Sequence, residues 1–298
     1  LFYLATISIA SNIVFPIGTT MSERFAFMPS IGFSWVIAVL MYRWGEMRNG
    51  KEKQLGIKKL SLRLMVIGVI ALLFSIKTIS RNTVWKDNYT LFSTDINTSL
   101  NSAKLRNAAA GETIAKATTL KNASQQQQMY LTAEQHLQEA IKIHPNYKNA
   151  YLQLGNVSNY LNRYEASVQY YNQALQIDPN YQDAINNLGI TYRDAGRYYG
   201  EEQQDLANSL KYLTLAYQYR PQEYETVRLL GIAYAMSGNT PKAIEFFQKA
   251  VDLQPQNADA LYNLGSAYYN AGDAAKGQEV HQRAMQLDPQ VMERNQRR

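Results

Sequence analysis

The sequence predicts an all-α protein: two to three transmembrane helices followed by an α-solenoid of about five helix-turn-helix repeats. Three observations predict this. Apolar segments near membrane length lie within residues 1–79, basic charge is concentrated in residues 1–86, and the later sequence repeats with a period near 34 residues. We therefore expect a membrane part over 1–86, a linker over 87–100 and a repeat domain over 101–298.

Three apolar segments are candidate membrane helices: about 1–17, 25–44 and 60–79. About 20 helical residues cross a hydrocarbon core of roughly 30 Å, and Arg63 and Lys77 would reach the headgroups from the ends of the third segment. The alternative is a pair of buried helices in a soluble domain. Because the first segment begins without Met or basic residues, we expect it to be the end of a longer helix, and the chain to be a C-terminal fragment.

The charge distribution predicts the orientation of these helices. Residues 1–86 carry eleven Lys and Arg against three Glu, a net of +8, whereas the remaining 212 residues carry 19 basic and 21 acidic groups, a net of −2. We therefore do not expect the repeat domain to have a basic surface that binds nucleic acid. Loop 43–63 has seven basic residues and two Glu, which predicts a cytoplasmic position. The repeats would then lie on the outer face, in a bacterial periplasm or outside the cell, or alternatively in the lumen of the endoplasmic reticulum.

The sequence contains no recognisable catalytic or metal-binding motif. The chain has no cysteine, which excludes disulfides, thiolate metal sites and cysteine nucleophiles. His136, His144 and His281 fit no metal-ligand spacing, and no phosphate-binding loop or nucleophile elbow occurs. We expect no metal, no cofactor and no catalytic residue within this sequence.

The repeat signal comes from glycines and prolines at matching intervals. Four glycines are spaced by 34, 42 and 34 residues, and five prolines by 34, 42, 34 and 34: Gly155, Gly189, Gly231 and Gly265; Pro145, Pro179, Pro221, Pro255 and Pro289. Small residues allow two helices to approach closely, and each proline ends the second helix. The unit from Tyr224 resembles the tetratricopeptide repeat, with these matching positions: Val227, Leu230, Gly231, Tyr234, Ala243, Phe247, Ala250 and Pro255.

Two repeats depart from this spacing. The 42-residue interval predicts an eight-residue insertion, RYYGEEQQ, between the two helices of the repeat that begins near Gln182. Residues 105–143 resemble a degenerate first repeat, with its interhelix turn lengthened by about 11 residues that include KNASQQQQ. The tail after Pro289 is expected to cap the last helix.

In such a solenoid the first helices of the repeats line a groove. By repeat position, the groove candidates are Asn149, Leu152, Asn156, Asn159, Asn186, Arg193, Arg228, Tyr262 and Tyr269. Amide and aromatic side chains suit an extended polypeptide or a sugar. The alternative is a solvated surface with no dedicated ligand.

The segment FPIGTTMSERFAFMPSIGF, residues 15–33, joins the first apolar segment to the second and carries a further resemblance. Together with the cationic loop, a last membrane helix and the repeats, it resembles the transmembrane and tetratricopeptide repeat-containing proteins, regarded as protein O-mannosyltransferases, and their bacterial relatives. The matching positions are Phe15, Pro16, Gly18, Glu23, Arg24, Pro29, Ser30, Gly32 and Phe33. Phe27 stands where tyrosine is usual.

The resemblance implies a polytopic transferase that takes a sugar from a polyprenyl phosphate on the outer face. The catalytic acid would lie upstream of Leu1, so this fragment is expected to be inactive alone. Arg24 would pair with the lipid phosphate and Glu23 would orient it, unless the two merely tether the loop. Two functions remain: transferase machinery whose repeats bind protein acceptors, or a membrane-tethered scaffold for envelope proteins.

Overall fold

The computed structural model describes residues 82–296 and eight scattered helical residues between Met65 and Ser80. The chain divides into two compact units, Leu1–Ile79 and Ser80–Arg298. The second unit is built from α-helices, preceded by a 3-10 helix over Thr83–Lys86.

The helices of the second unit are numbered in chain order. They are α1 (Asn88–Asp95), α2 (Ala103–Thr118), α3 (Ala123–Ile143), α4 (Lys148–Tyr160), α5 (Tyr164–Ile177), α6 (Gln182–Glu201), α7 (Leu206–Tyr219), α8 (Tyr224–Met236), α9 (Thr240–Leu253), α10 (Ala258–Asn270), α11 (Ala274–Leu287) and α12 (Val291–Gln296).

Helices α2 to α11 form five hairpins, which we number repeat 1 (α2 and α3) to repeat 5 (α10 and α11). Each hairpin packs on the next through its second helix, and this stacking builds the solenoid. One alanine in each second helix has no exposed surface: Ala140, Ala174, Ala216, Ala250 and Ala284. Because these five residues share one repeat position, the prediction of five repeats is confirmed, including the degenerate first one.

The predicted helix stops are also confirmed. The residue before each repeat proline is the C-cap of the second helix and has an extended φ between −135° and −144°: His144, Asp178, Arg220, Gln254 and Asp288. Proline disfavours the α conformation in the residue that precedes it. Many helices then start at a side-chain cap, as where Asn122 accepts a hydrogen bond from the Gln125 amide and Asp205 accepts one from the Asn208 amide.

Inside a hairpin, a glycine of the first helix faces a large residue of the second. A Cβ on Gly155 would overlap the ring of Tyr171, and the same relation joins Gly231 to Phe247. The Ser167 hydroxyl, on α5, donates to the carbonyl of Gly155 at 2.8 Å. This pairing fixes the register of the two helices in repeat 2.

The insertions were predicted as lengthened turns, and this prediction is wrong in both repeats. In repeat 3, residues 197–201 continue α6, which reaches 20 residues, and only 202–205 form the turn. In repeat 1, the QQQQ run lies inside the 21-residue α3, and the turn is 119–122. The polar residues are compatible with helix, so the extra length continues the helical hydrogen bonding instead of opening a loop.

The two ends of the array carry short helices. The predicted linker 87–100 contains α1, whose Asn88 side chain donates to Glu112 of α2 at 3.2 Å. At the other end, α12 buries Val291 completely, and Arg294 donates to Asp259 at 2.8 Å. The C-terminal tail therefore packs mainly against the first helix of repeat 5, and its role as a cap of the last helix stays a prediction.

In the part of the chain that the structure describes, no helix is both long and apolar enough to span a membrane. The predicted membrane helices 1–17 and 25–44 and the loop 43–63 lie outside the described residues. Within 60–79, seven residues are described, all helical, and the six apolar ones expose 51–67% of their surface.

Candidate partner-binding face

The predicted groove residues lie on the first helices of the repeats. Of these, α2, α4, α6 and α8 lie side by side, each contacting the next. We term the solvent side of the first helices the inner face. Glu23 and Arg24, the lipid-phosphate candidates, lie outside the described residues.

Three of the predicted groove residues are exposed: Asn149, Asn186 and Tyr269. The Asn149 carbonyl oxygen accepts a hydrogen bond from Tyr181, and that of Asn186 accepts one from Gln182, both at 3.0 Å. Both amide nitrogens remain without a hydrogen bond to any described residue. These side chains can therefore donate to a bound molecule.

Asn156 and Asn159 are half-buried and join neighbouring repeats. The Asn156 oxygen accepts from the Tyr171 hydroxyl at 2.7 Å and from the Asn187 amide at 2.8 Å. Asn159 donates to Asp194 at 3.3 Å. Leu152 packs against the hydrophobic cluster around Tyr171. These three residues hold α4, α5 and α6 together.

The two predicted groove arginines are both paired. Arg193 contacts Asp194 at 2.8 Å and Glu223 at 2.5 Å, which ties α6 to the start of repeat 4. Arg228 makes a two-pronged contact with Glu225, at 2.8 and 2.7 Å. This contact holds the pKa of the Glu225 carboxyl below its usual value. Neither arginine offers an unpaired guanidinium.

Tyr262 mainly supports the core of repeat 5. Its ring stacks on His281 at 5.1 Å, and the His281 ring occupies the space that the missing Cβ of Gly265 leaves. His281 Nε2 lies 3.0 Å from the Tyr262 carbonyl oxygen, so this histidine packs and bonds within the core of repeat 5. Tyr269 contacts the same ring but keeps 43% of its surface exposed.

Four buried side-chain oxygens of the described residues have no hydrogen-bond partner. They are the side-chain oxygens of Asn107, Gln153, Ser158 and Asn159. A buried acceptor left unpaired costs about 1–3 kcal/mol. Asn107 and Gln153 were not predicted as groove residues. Asn107 holds the repeat position of Leu152, so aligning the degenerate first repeat with the second would have identified it.

The elongated α6 creates a cavity that the sequence did not predict. A Cβ on Gly196 would lie 2.5 Å from Leu213, and Ser209 donates to the Gly196 carbonyl at 2.8 Å. These contacts match those between Gly155, Tyr171 and Ser167 in repeat 2, but they occur seven residues after Gly189. We term the resulting cavity, of about 430 Å³ between α6, α7 and α8, the repeat 3 pocket.

The insertion also anchors repeat 3 to repeat 2 through a carboxylate. Tyr199, within the insertion, donates to Glu165 of α5 at 2.7 Å, and Tyr212 donates to the same oxygen at 3.0 Å. The Tyr199 bond lowers the pKa of Glu165, and the same bond raises the pKa of Tyr199 to about 12. Burial and this carboxylate raise the pKa of Tyr212 to about 12.

The described residues contain no group of three or more His, Asp or Glu placed to hold a metal ion. His136 is partly buried in α3, and burial lowers its pKa. His144 stacks on Tyr147 at 5.7 Å.

Comparison with known families identifies the repeats. Family models described as tetratricopeptide repeat match residues 149–181, 170–204 and 258–291, and one described as TPR repeat matches 231–272. Among solved structures, YrrB, described as a TPR protein with an unusual peptide-binding site, has a TM-score of 0.46 at 20% identity and covers 67% of this chain and 94% of its own. MamA has a TM-score of 0.42 at 17% identity and covers 61% of this chain and 96% of its own.

Two curated relatives share part of the sequence. The Mus musculus protein O-mannosyl-transferase TMTC3 is 35% identical over 98 residues, which is 33% of this chain and 10% of that protein. The Drosophila melanogaster protein O-mannosyl-transferase Tmtc3 is 26% identical over 152 residues, which is 51% of this chain and 14% of that protein. The matches thus span a small part of these relatives. The chain carries tetratricopeptide repeats over 149–204 and 231–291, and it is similar over part of its length to protein O-mannosyl-transferases.

Proposed function

We propose that the repeat array binds an extended segment of a partner polypeptide along its inner face. The observation that carries this proposal is the set of amide side chains on the first helices. The side chains of Asn149 and Asn186 are exposed, and their amide nitrogens donate to no described residue. A polypeptide in extended form offers both backbone donors and acceptors at regular intervals, which suits side chains that can donate and accept.

Peptide selection tests this proposal. The full chain is used to select from a displayed library of random peptides, and the affinity of selected peptides is measured by fluorescence anisotropy. The double variant Asn149→Ala, Asn186→Ala is expected to bind roughly thirtyfold more weakly, because each of the two lost hydrogen bonds contributes about 1 kcal/mol and about 1.4 kcal/mol is a factor of ten. Asn172→Ala, an exposed asparagine on α5, is the matched control and should bind normally. Failure to select any peptide would contradict the proposal.

The array is further proposed to belong to a membrane-bound mannosyltransferase that uses a polyprenyl-phosphate sugar, with the repeats recruiting protein acceptors. The partial similarity to protein O-mannosyl-transferases supports this, as does the Glu23 and Arg24 segment. The test is mannose transfer from polyprenyl-phosphate-mannose to protein by the full-length protein and by its Arg24→Ala variant. Absence of transfer by the full-length protein would favour the scaffold function, and unchanged transfer by the variant would remove Arg24 from the site.

The proposed location is an integral membrane protein with its repeats on the outer face, in a bacterial envelope or the endoplasmic reticulum lumen. The cationic loop 43–63 supports the orientation. Because the chain has no cysteine, single cysteines report topology without background. A membrane-impermeant maleimide should label Asn146→Cys, in an exposed turn of the array, from the outside, and Lys53→Cys only after lysis. The reverse pattern would refute the orientation.

A further inference from the structure

The repeat 3 pocket is a consequence of the insertion in α6. Its walls combine two helical glycines with aliphatic side chains from α7 and α8: Gly196, Gly200, Leu213, Leu229, Ile232 and Met236. Its volume of about 430 Å³ lies within the roughly 300–1,000 Å³ of ordinary ligand pockets. Met236 has 66% of its surface exposed, and methionine adapts its shape to different apolar partners.

The rim of the pocket carries an arginine with spare hydrogen-bond donors. Arg197 donates no hydrogen bond to any described residue, and its one ion-pair contact among them is with Asp194 at 3.9 Å, with half of its side chain exposed. The acids nearby are engaged elsewhere: Asp194 is bonded to Arg193, and Glu225 to Arg228. Glu201, also at the rim, interacts with Arg228. Arg197 is therefore the rim group that best suits an anionic partner.

We propose that this pocket selects the partner polypeptide by one large apolar side chain with an acidic residue beside it. The inference rests on the proposed peptide binding and adds its sequence preference. The apolar side chain enters between α6 and α8, and the adjacent Asp or Glu pairs with Arg197. Arg197 lies one turn after Arg193 on α6, and Ile232 lies one turn after Arg228 on α8. These two lining residues therefore share the helix faces of two predicted groove residues, along which the peptide would lie.

Reversing the charge of Arg197 at the rim tests the proposal. The expected result is a new peptide preference, which a misfolded variant would not show. Peptides are selected from the same random library with the full chain and with its Arg197→Glu variant. The wild type should enrich Leu, Met or Phe next to Asp or Glu, and the variant should enrich the same apolar residue next to Lys or Arg. Met236→Gln should weaken binding of a selected wild-type peptide about tenfold. Arg283→Glu and Met285→Gln, at exposed positions of α11, are the matched controls.

The outcomes separate this proposal from peptide binding itself. Selected peptides that bind through Asn149 and Asn186 but lack the apolar and acidic pair would overturn the pocket assignment and leave peptide binding intact. No selected peptide at all would overturn both. Sedimentation of the full chain is run in parallel, and a change of oligomeric mass in Met236→Gln would assign the pocket to a second copy of the chain and overturn the proposal.

Discussion

Repeats 2 and 3 make the same contacts between their two helices, but in repeat 3 the glycine that makes them lies seven residues further along the first helix. In repeat 2, Gly155 packs under Tyr171 and accepts a hydrogen bond from Ser167. In repeat 3, Gly189 stands at the matching position of the sequence, yet Gly196 packs under Leu213 and accepts from Ser209. Seven residues are two helical turns, about 10.5 Å along the axis.

This difference shows how a helical repeat accommodates an insertion. A shift by two whole turns returns a glycine to the same face of α6, so the close contact between helices is kept while α7 moves along α6. Gly189 is then left beside Tyr219 and Arg220, near the end of α7. The repeat 3 pocket and the Tyr199 anchor to Glu165 both result from this displacement.

The largest expected effects come from placing a Cβ at the helix contact. Gly155→Ala and Gly196→Ala should each destabilise the array by about 1–3 kcal/mol, because the added carbon would overlap Tyr171 or Leu213. Gly111→Ala is the control: its nearest neighbour would be the Gln153 side chain at 3.5 Å. Alanine there should stabilise α2 by up to about 1 kcal/mol. Denaturant unfolding measures the stability of all three variants. An unchanged stability in Gly196→Ala would refute the shifted register.

A smaller effect is expected at the serines that bond to these glycines. Ser167→Ala and Ser209→Ala each remove a buried hydrogen bond to a glycine carbonyl and should cost about 0.5–1.5 kcal/mol. Ser167→Ala also removes a 3.2 Å contact with the Thr191 hydroxyl, so its loss should be the larger of the two. A measurable loss in both variants would show that the contact is preserved in repeat 3. A loss at Ser167 alone would mean that the repeat 3 bond contributes nothing.

The sequence predicted the hairpins because the residues that end and align the helices recur at fixed intervals along the chain. Prolines end the second helices, and one alanine per repeat fixes the register, so even the degenerate first repeat was identified. The elongation of α6 was not predicted, because it depends on contacts distant in sequence, such as Tyr199 with Glu165. The eight extra residues lie where the repeat pattern places the turn between its two helices, and this favoured a loop.

The groove residues illustrate the same limit at the candidate site. Repeat position placed all nine on the first helices, since that depends on helical periodicity alone. It did not show that Asn156 and Arg193 are bonded to Asn187 and Glu223, which lie 31 and 30 residues further along the chain. These partners belong to the next repeat unit, so they become apparent only when the displacement between repeats is known.

The smallest effect concerns the carboxylate that joins repeats 2 and 3, and it depends on pH. Tyr199→Phe removes the hydroxyl bonded to Glu165 and should cost no more than about 1 kcal/mol at neutral pH, because the pair is solvent-exposed.

The folded pKa of Glu165 is lowered, so this stabilisation is complete above the unfolded pKa of Glu165, about 4.3, and disappears as the pH falls through the folded pKa. The folded pKa of Tyr199 is raised to about 12, so the stabilisation also disappears between about pH 10 and pH 12. Tyr160→Phe is the matched control, because it removes a tyrosine hydroxyl that bonds to no described residue. Thermal unfolding of both variants from acid to neutral pH measures this, and a Tyr199→Phe effect that persists at pH 3 would show that repeat 3 is not held to repeat 2 through the ionised Glu165.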